Sequence, residues 1–260
     1  MSSRCLSVFV LSVLPLVAAD KSTLRVCADP NNMPFSNERG EGFENKLAEL
    51  MAQQLGAKIE YTWWAERKSF VKDSLNAGRC DVVMGIPSSL DSVAATKPYY
   101  RSSYVFVSRH DRNLQIASLS DARLNQLRIG VHVVGDDYAP PAAALARRGV
   151  VDNIVSFSLF GEYGEQNPPR KIIDAVARGE IDIAIVWGPF AGYFAQQENV
   201  ALDVVPVSPS MFLSIPFTYD ISLGVRKSDE ALRTELDNVL QSQSAAIQRI
   251  LEEYDVPQVR

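Results

Sequence analysis

The chain has 260 residues, with 26 basic and 31 acidic side chains and a formal net charge of −5. No basic cluster exceeds two or three residues, so the sequence offers no footprint for nucleic acid or an anionic membrane surface. The length suffices for a substantial buried core, in one domain or two.

The first segment reads as an export signal. Met1 to Arg4 carry one positive charge, and an apolar core follows from Leu6 to Val17, broken by Ser7, Ser12 and Pro15. Val17-Ala18-Ala19 puts small residues at the cleavage positions, so residues 1–19 are expected to be a signal peptide and the mature chain to begin at Asp20. A membrane anchor is the poorer reading, because this apolar stretch falls short of the ~20 residues that a hydrocarbon core requires. No later run reaches spanning length, so no membrane insertion is expected. Cys5 precedes the apolar core, where a lipidated cysteine does not sit. Losing Arg4 leaves 25 basic against 31 acidic residues, a net charge of −6. In an oxidising compartment the two remaining cysteines, Cys27 and Cys80, are expected to pair as a disulfide, with two free buried thiols as the alternative. The histidines are His110 and His132, and no Cys/His cluster has ligand spacing, so no metal site is expected.

In chain order, Leu24-Arg25-Val26-Cys27 opens an apolar run. Phe43, Leu47, Leu50, Met51 and Leu55 then recur at helical spacing, and Gly56 ends that helix. Ile59 to Trp63 reads as a strand. A second helix is expected over Glu66 to Ala77, with Phe70, Val71 and Leu75 inward. Gly78-Arg79-Cys80-Asp81-Val82-Val83 closes it and enters a buried strand. About a hundred residues later the grammar returns. Leu127-Arg128-Ile129-Gly130 opens a run 103 residues after the first, and Gly179-Glu180-Ile181-Asp182-Ile183-Ala184 stands 101 residues after its counterpart. Each glycine suits the left-handed position that ends a helix, each aspartate the turn, and each apolar run a sheet covered on both faces. Two copies at nearly one spacing imply two similar lobes.

In the second copy, Asn167 and Pro168 read as N-cap and N1 ahead of Ile172, Ile173 and Val176. Alternation of strand and helix predicts an α/β fold with mostly parallel sheets flanked by helices. Asp220 to Val225 reads as a last strand and Ser228 as an N-cap. Leu232, Leu236, Val239, Leu240, Ile247, Ile250, Leu251 and Tyr254 form one apolar stripe, able either to finish the second lobe or to return to the first.

Taken together, "LRVCADPNNMPFSNERGEGFENKLAELMAQQLGAKIEYTWW", "LNAGRCDVVMGIP", "KPYY" and "ISLGVRKSDEAL" resemble a type II periplasmic solute-binding protein of family 3, over nearly the whole mature chain. The resemblance implies a two-lobed fold with a two-segment hinge. Lobe one would comprise residues 20–108 plus 220–260 and lobe two residues 109–219, with crossings near Ser108–Asp111 and Phe217–Ile221. It also implies a periplasmic location. "CADPNNMPFSN", "GVHVVGDDYAPPAAALARRG" and "VWGPFAGY" narrow the likeness to the quinoprotein-dehydrogenase-associated subgroup, the J-type proteins of methanol dehydrogenase gene clusters. That subgroup implies a partner, a PQQ-dependent alcohol dehydrogenase, and a role in its activation or maturation. PQQ and its metal would belong to the partner, and this chain would carry no cofactor.

Amino-acid-binding members of the family hold the ligand carboxylate with an arginine and the ammonium with an aspartate. The matching positions here are Ser89 and Trp187, so free amino acids are not the expected ligand. Ligands in open α/β sheets sit at the carboxyl ends of the strands. That rule selects Asn31, Asn32, Met33 and Phe35 after the first strand, and Ile86, Pro87, Ser88 and Ser89 after "CDVVMG". From the second lobe it selects Gly135, Asp136, Asp137, Tyr138, Trp187 and Phe190. The bland roles are turn formation for Asn31 and Asn32, helix capping for Asp136 and Asp137, and core packing for Trp187. Two alternatives stand beside the dehydrogenase role: a binding protein that delivers a small non-amino-acid solute to an ABC permease, and a dehydratase on the same fold. The dehydratase needs a cation to hold carboxylates, which Ser89 does not supply, and no G-x-S-x-G elbow supports a catalytic triad. No catalytic residue is expected.

Overall fold

The computed structural model describes residues 22–67, 69–134, 137–160 and 167–259, with the backbone alone at 134, 137 and 138. The expected signal peptide lies outside these residues. The principal strands are β1 (Thr23–Ala28), β2 (Lys58–Trp63), β3 (Val82–Pro87), β4 (Tyr100–Arg109), β5 (Ile129–Val134), β6 (Ile154–Ser158), β7 (Ile183–Trp187), β8 (Leu202–Pro206) and β9 (Thr218–Val225). The principal helices are α1 (Phe43–Gln54), α2 (Pro140–Arg147), α3 (Lys171–Ala177), α4 (Gly188–Ala195), α5 (Glu230–Ser242) and α6 (Ser244–Glu253).

These strands form two halves joined by continuous chain. In one, β1 lies parallel between β2 and β3, and β9 runs antiparallel along β3. In the other, β5 lies parallel between β6 and β7, and β4 runs antiparallel to both β7 and β8. The halves meet through β4 and β9. Tyr100 to Ser103 of β4 pair with Ile221 to Thr218 of β9. From Tyr104 onward the same strand pairs instead with β7 and β8. The handover thus falls at Tyr104, whose N–H donates to the Phe217 carbonyl while its own carbonyl accepts from the Val207 N–H, ahead of Ser108. A strand can pass between two sheets without a break in extended backbone, which is why no composition change marks the point.

The internal repeat is written in hydrogen bonds as well as in letters. Arg25 grips the Asp81 carboxylate through Nε at 3.0 Å and Nη2 at 2.6 Å, and its Nη1 donates to the Gly78 carbonyl. Arg128 grips Asp182 likewise through Nε and Nη2, and its Nη2 also donates to the Gly179 carbonyl. In both copies the arginine backbone N–H also donates to the aspartate. Each aspartate therefore staples the start of one strand to the start of its neighbour, a bidentate fork rather than a simple turn former. Gly78 and Gly179 hold φ of +74° and +71°, the left-handed region that costs a β-carbon-bearing residue about 1–2 kcal/mol.

Local readings hold with instructive exceptions. Phe43, Leu47, Ala48 and Met51 are buried along one face of α1. The helix expected over Glu66–Ala77 is a single turn, Phe70–Asp73, although Phe70 and Leu75 are buried as expected. The Ser74 hydroxyl takes the Phe70 carbonyl at 2.5 Å, a local side-chain bond that competes with helix continuation. Asn167 sits at φ +48° and opens a 3₁₀ turn, Pro168–Arg170, without a side-chain cap, before α3 begins. The last helix starts one residue later than expected, with Asp229 at its N-cap, and the apolar stripe is split at Gln243 into α5 and α6. These helices return to α1. The Phe43 and Tyr254 rings stand 6.0 Å apart, and the Tyr254 hydroxyl donates to the Glu41 carbonyl.

Cys27 and Cys80 are disulfide-bonded, with a Cα–Cα separation of 5.5 Å across a sequence separation of 53. Both are buried in a small cluster with Phe70, Leu75, Val83, Ile86 and Val93. No helix among the described residues is long and apolar enough to cross a membrane.

Candidate functional site

A cavity of about 380 Å³ opens where the two halves face each other, at the carboxyl ends of the strands. Its walls are aromatic: Phe35, Tyr100, Tyr104, Trp187, Phe190 and Tyr219. The rings interlock. Tyr104 and Trp187 are 5.4 Å apart, Trp187 and Tyr219 5.8 Å, and Phe35 meets Phe190 edge-on across the cleft at 5.1 Å. Asn167 N–H donates to Asn31 Oδ1 at 3.3 Å, a second contact between the halves.

Among the described lining residues, the amide and carboxyl side chains are Asn32 and two acids, Glu44 from the first turn of α1 and Glu66 from the segment after β2. Buried Asp29 ties the loops together, accepting the Asn31 N–H at 2.8 Å and the Glu66 N–H at 2.6 Å. Asn32 Nδ2 donates to the Glu66 carboxylate at 2.7 Å. Asn32 is only 5% exposed, yet its Oδ1 has no hydrogen-bond partner.

These surroundings reset the acids. Burial, and then the negative charge of Asp29, push Glu66 up to about 7 against the opposing bond from Asn32. Burial and the nearby Glu66 hold Glu44 well above the ordinary carboxyl range. Tyr100 and Tyr104 are raised, first by burial, and stay neutral phenols at any physiological pH. Behind Phe190, with ring centroids 5.5 Å apart, burial pushes His132 down to about 4 against the opposing hydrogen bond to the Pro169 backbone, so it is neutral. Its Nε2 has no partner.

Of the residues expected to line the cleft, Asn32, Phe35, Pro87, Trp187 and Phe190 do so. Met33 and Ile86 are instead buried in the core clusters: Ile86 lies on the opposite face of β3 from Pro87, and Met33 opens a turn that tucks it inward. Ser88 is occupied by the Asp220 carbonyl and the Ser222 hydroxyl, and Ser89 is exposed away from the cavity. Gly135 and Asp136 lie outside the described residues. Asp137 and Tyr138 form a short strand antiparallel to β5, and their side chains lie outside the description.

Glu44 and Glu66 were missed. Glu44 reads as an ordinary acid in a helix first turn. Its spacing to Ala48 and Met51, however, puts it on the buried face of α1. Glu66 follows the carboxyl end of β2, a strand to which the carboxyl-end rule was not applied. Tyr104 and Tyr219 were missed because they belong to the crossing strands themselves.

A cleft between two sheet halves joined by two extended segments defines a hinged solute-binding protein. The chain matches the family of bacterial extracellular solute-binding proteins, family 3, over residues 24–256, and it belongs to that family. It is 33% identical to Protein MoxJ of Methylorubrum extorquens over 250 residues, covering 92% of this chain and 82% of that protein. Among solved structures it resembles the periplasmic binding protein XoxJ from Methylobacterium extorquens AM1, at 35% identity and a TM-score of 0.76, over 91% of this chain and 99% of that one. It also resembles MxaJ from Methlophaga aminisulfidivorans MPT, at 26% identity and a TM-score of 0.77, over 91% of this chain and all of the other.

Proposed function

We propose that this protein works in the periplasm as a binding protein of a methanol dehydrogenase system, assisting the activation or maturation of a PQQ-dependent alcohol dehydrogenase. The observation that carries this reading is the whole-length likeness to the J-type proteins, which extends through both halves of the fold and the crossing strands. It acts by opening and closing rather than by catalysis. A hinged protein assists a partner when the partner binds its open and closed states with different affinity. PQQ and its metal belong to the partner in this reading, and the chain itself carries no cofactor.

The amino-acid-capturing role of the wider family receives no support from the cleft. Among the described residues that line it, none is a lysine or arginine able to hold a carboxylate. The test is a deletion strain grown on methanol. Dehydrogenase specific activity should fall while its transcript stays level, and the wild-type gene should restore it. Unchanged enzyme activity together with lost uptake of a small solute would favour delivery to an ABC permease instead.

A further inference from the structure

We infer that the cleft is a site for an ammonium group that carries no carboxylate, held between Glu44, Glu66 and Asn32 and walled by aromatic rings. The inference rests on the reading that this cleft is the protein's binding site. Three independent features point the same way. Two carboxyls, and among the described lining residues no lysine or arginine, face one cavity. Asn32 offers a carbonyl oxygen that is buried and unpartnered, an acceptor waiting for a donor. The remaining wall carries the rings of Tyr100, Tyr104, Trp187 and Tyr219, and an aromatic wall attracts a desolvated cation.

The chemistry of the wall separates an organic cation from a metal. No group of three His, Cys, Asp or Glu side chains among the described residues is placed to hold a metal ion. A cavity of about 380 Å³ lined mainly by carbon suits an alkylammonium, whose hydrocarbon part needs an apolar wall. An amino acid is disfavoured because its carboxylate would meet Glu44 and Glu66 without a compensating cation. The same ammonium chemistry is offered by a free small amine and by a lysine side chain on a segment of a partner protein.

Calorimetric titration of the purified mature protein decides the matter, using butylammonium, tetramethylammonium, a lysine tripeptide capped at both ends, and neutral butanol. The ammonium compounds should bind and butanol should not. Tighter binding of the tripeptide assigns the ammonium to a partner segment, and tighter binding of butylammonium assigns it to a free amine. Glu66→Gln should weaken binding by about 30-fold or more, and Glu44→Gln by less because its carboxyl holds its proton more firmly, with thermal melts confirming folded protein. In the wild type, affinity should fall as pH drops from 8 to 6. Glu66 takes up its proton there, facing Asp29 and Asn32 beyond β1, Glu44 on α1 and Tyr100 on β4, with exposed Arg67 next to it in the chain.

No binding by any ammonium compound at millimolar concentration overturns the inference, as does butanol binding as tightly as butylammonium. So does affinity unchanged in both glutamine variants. A null titration beside a deletion strain with lost and restorable dehydrogenase activity removes the ammonium site and leaves the assisting role. Binding in the titration with unaltered dehydrogenase activity does the reverse.

Discussion

The Glu44 carboxylate occupies the space in which a side chain at position 85 would begin, so that a β-carbon on Gly85 would overlap Glu44 Oε1. Glycine in the middle of β3 is otherwise a poor choice, since it weakens a strand and packs nothing. Its presence lets a helix-borne carboxyl reach the cleft across the strand.

Gly85→Ala is therefore expected to displace Glu44 while leaving the fold intact. The displaced group is the far end of a flexible side chain, so the stability cost should be about 1 kcal/mol. Binding at the cleft should suffer more than stability. Paired urea melts and ligand titrations check this, and a large loss of stability with unaltered binding would contradict it.

Removing the Cys27–Cys80 bond should destabilise without refolding the site. Closing a loop of this sequence separation is worth about 4 kcal/mol in the chain-entropy model. The double variant Cys27→Ala/Cys80→Ala should lower the urea midpoint accordingly. Thiol titration of denatured wild-type protein from the periplasm should find none free.

Much of this fold was legible because its signals are local and repeated. The stripe on α1 and the two Gly-x-x-Asp turns follow from period and from the left-handed position that glycine fills. What escaped is non-local. The fork from Arg25 to Asp81 needs the two strands side by side before it exists. The handover inside β4 needs the register with β9. Glu44 and Glu66 become a pair only when α1 and the segment after β2 converge, from 22 positions apart in the chain. The carboxyl-end rule found the right rim of the sheet, and the alternation of extended backbone in β3 then decided that Pro87 faces the cleft while Ile86 faces the core.

Two groups, half-buried Glu66 and buried His132, pull stability in opposite directions with pH. Glu66 is raised from 4.5 to about 7 in the folded protein, so the native state holds a proton that the unfolded chain releases. Its contribution is therefore fully present below pH 4.5 and is lost as pH rises toward 7. His132 is lowered from 6.5 to about 4, so the unfolded chain binds the extra proton and stability is lost as pH falls from 6.5 toward 4. Between about pH 4.5 and 6.5 the two slopes, each up to ~1.4 kcal/mol per pH unit, oppose each other. Glu66→Gln removes one of them. Its stability relative to wild type should grow with pH and level off above 7, at no more than about 3 kcal/mol after allowing for solvent in the cleft. Urea melts at pH 5, 6, 7 and 8 test the sign, and a gain largest at pH 5 would refute it.

Free amino acids are expected to bind no better than millimolar. By the resemblance, Ser89 and Trp187 stand in place of the family's arginine and aspartate; Ser89 is exposed away from the cavity, and Trp187 lines it with an uncharged indole. Losing the carboxylate's charged partner at a buried site costs about 2–5 kcal/mol, and among the described lining residues no lysine or arginine replaces it. A panel titration with one clear micromolar isotherm would show that another group holds the carboxylate.

The final expectation concerns Trp187 as a reporter of closure. The indole ends β7, packs edge-on against Tyr104 and Tyr219, and lines the cavity. Tyr104 begins the part of β4 that pairs with β7, and Tyr219 lies in the part of β9 that pairs with β4. The trio therefore joins the two crossing strands to the strand that floors the second half. Any rotation of one half against the other must change these ring contacts, whereas Trp63 and Trp64 stand beyond the crossing on the first half. In a Trp63→Phe/Trp64→Phe background, intrinsic fluorescence should shift when a cleft ligand binds, because closing replaces water around a half-buried indole with protein. Trp187→Phe should abolish the shift and change affinity by less than tenfold, since phenylalanine keeps an aromatic wall. A shift that survives Trp187→Phe would place the moving contact elsewhere in the molecule.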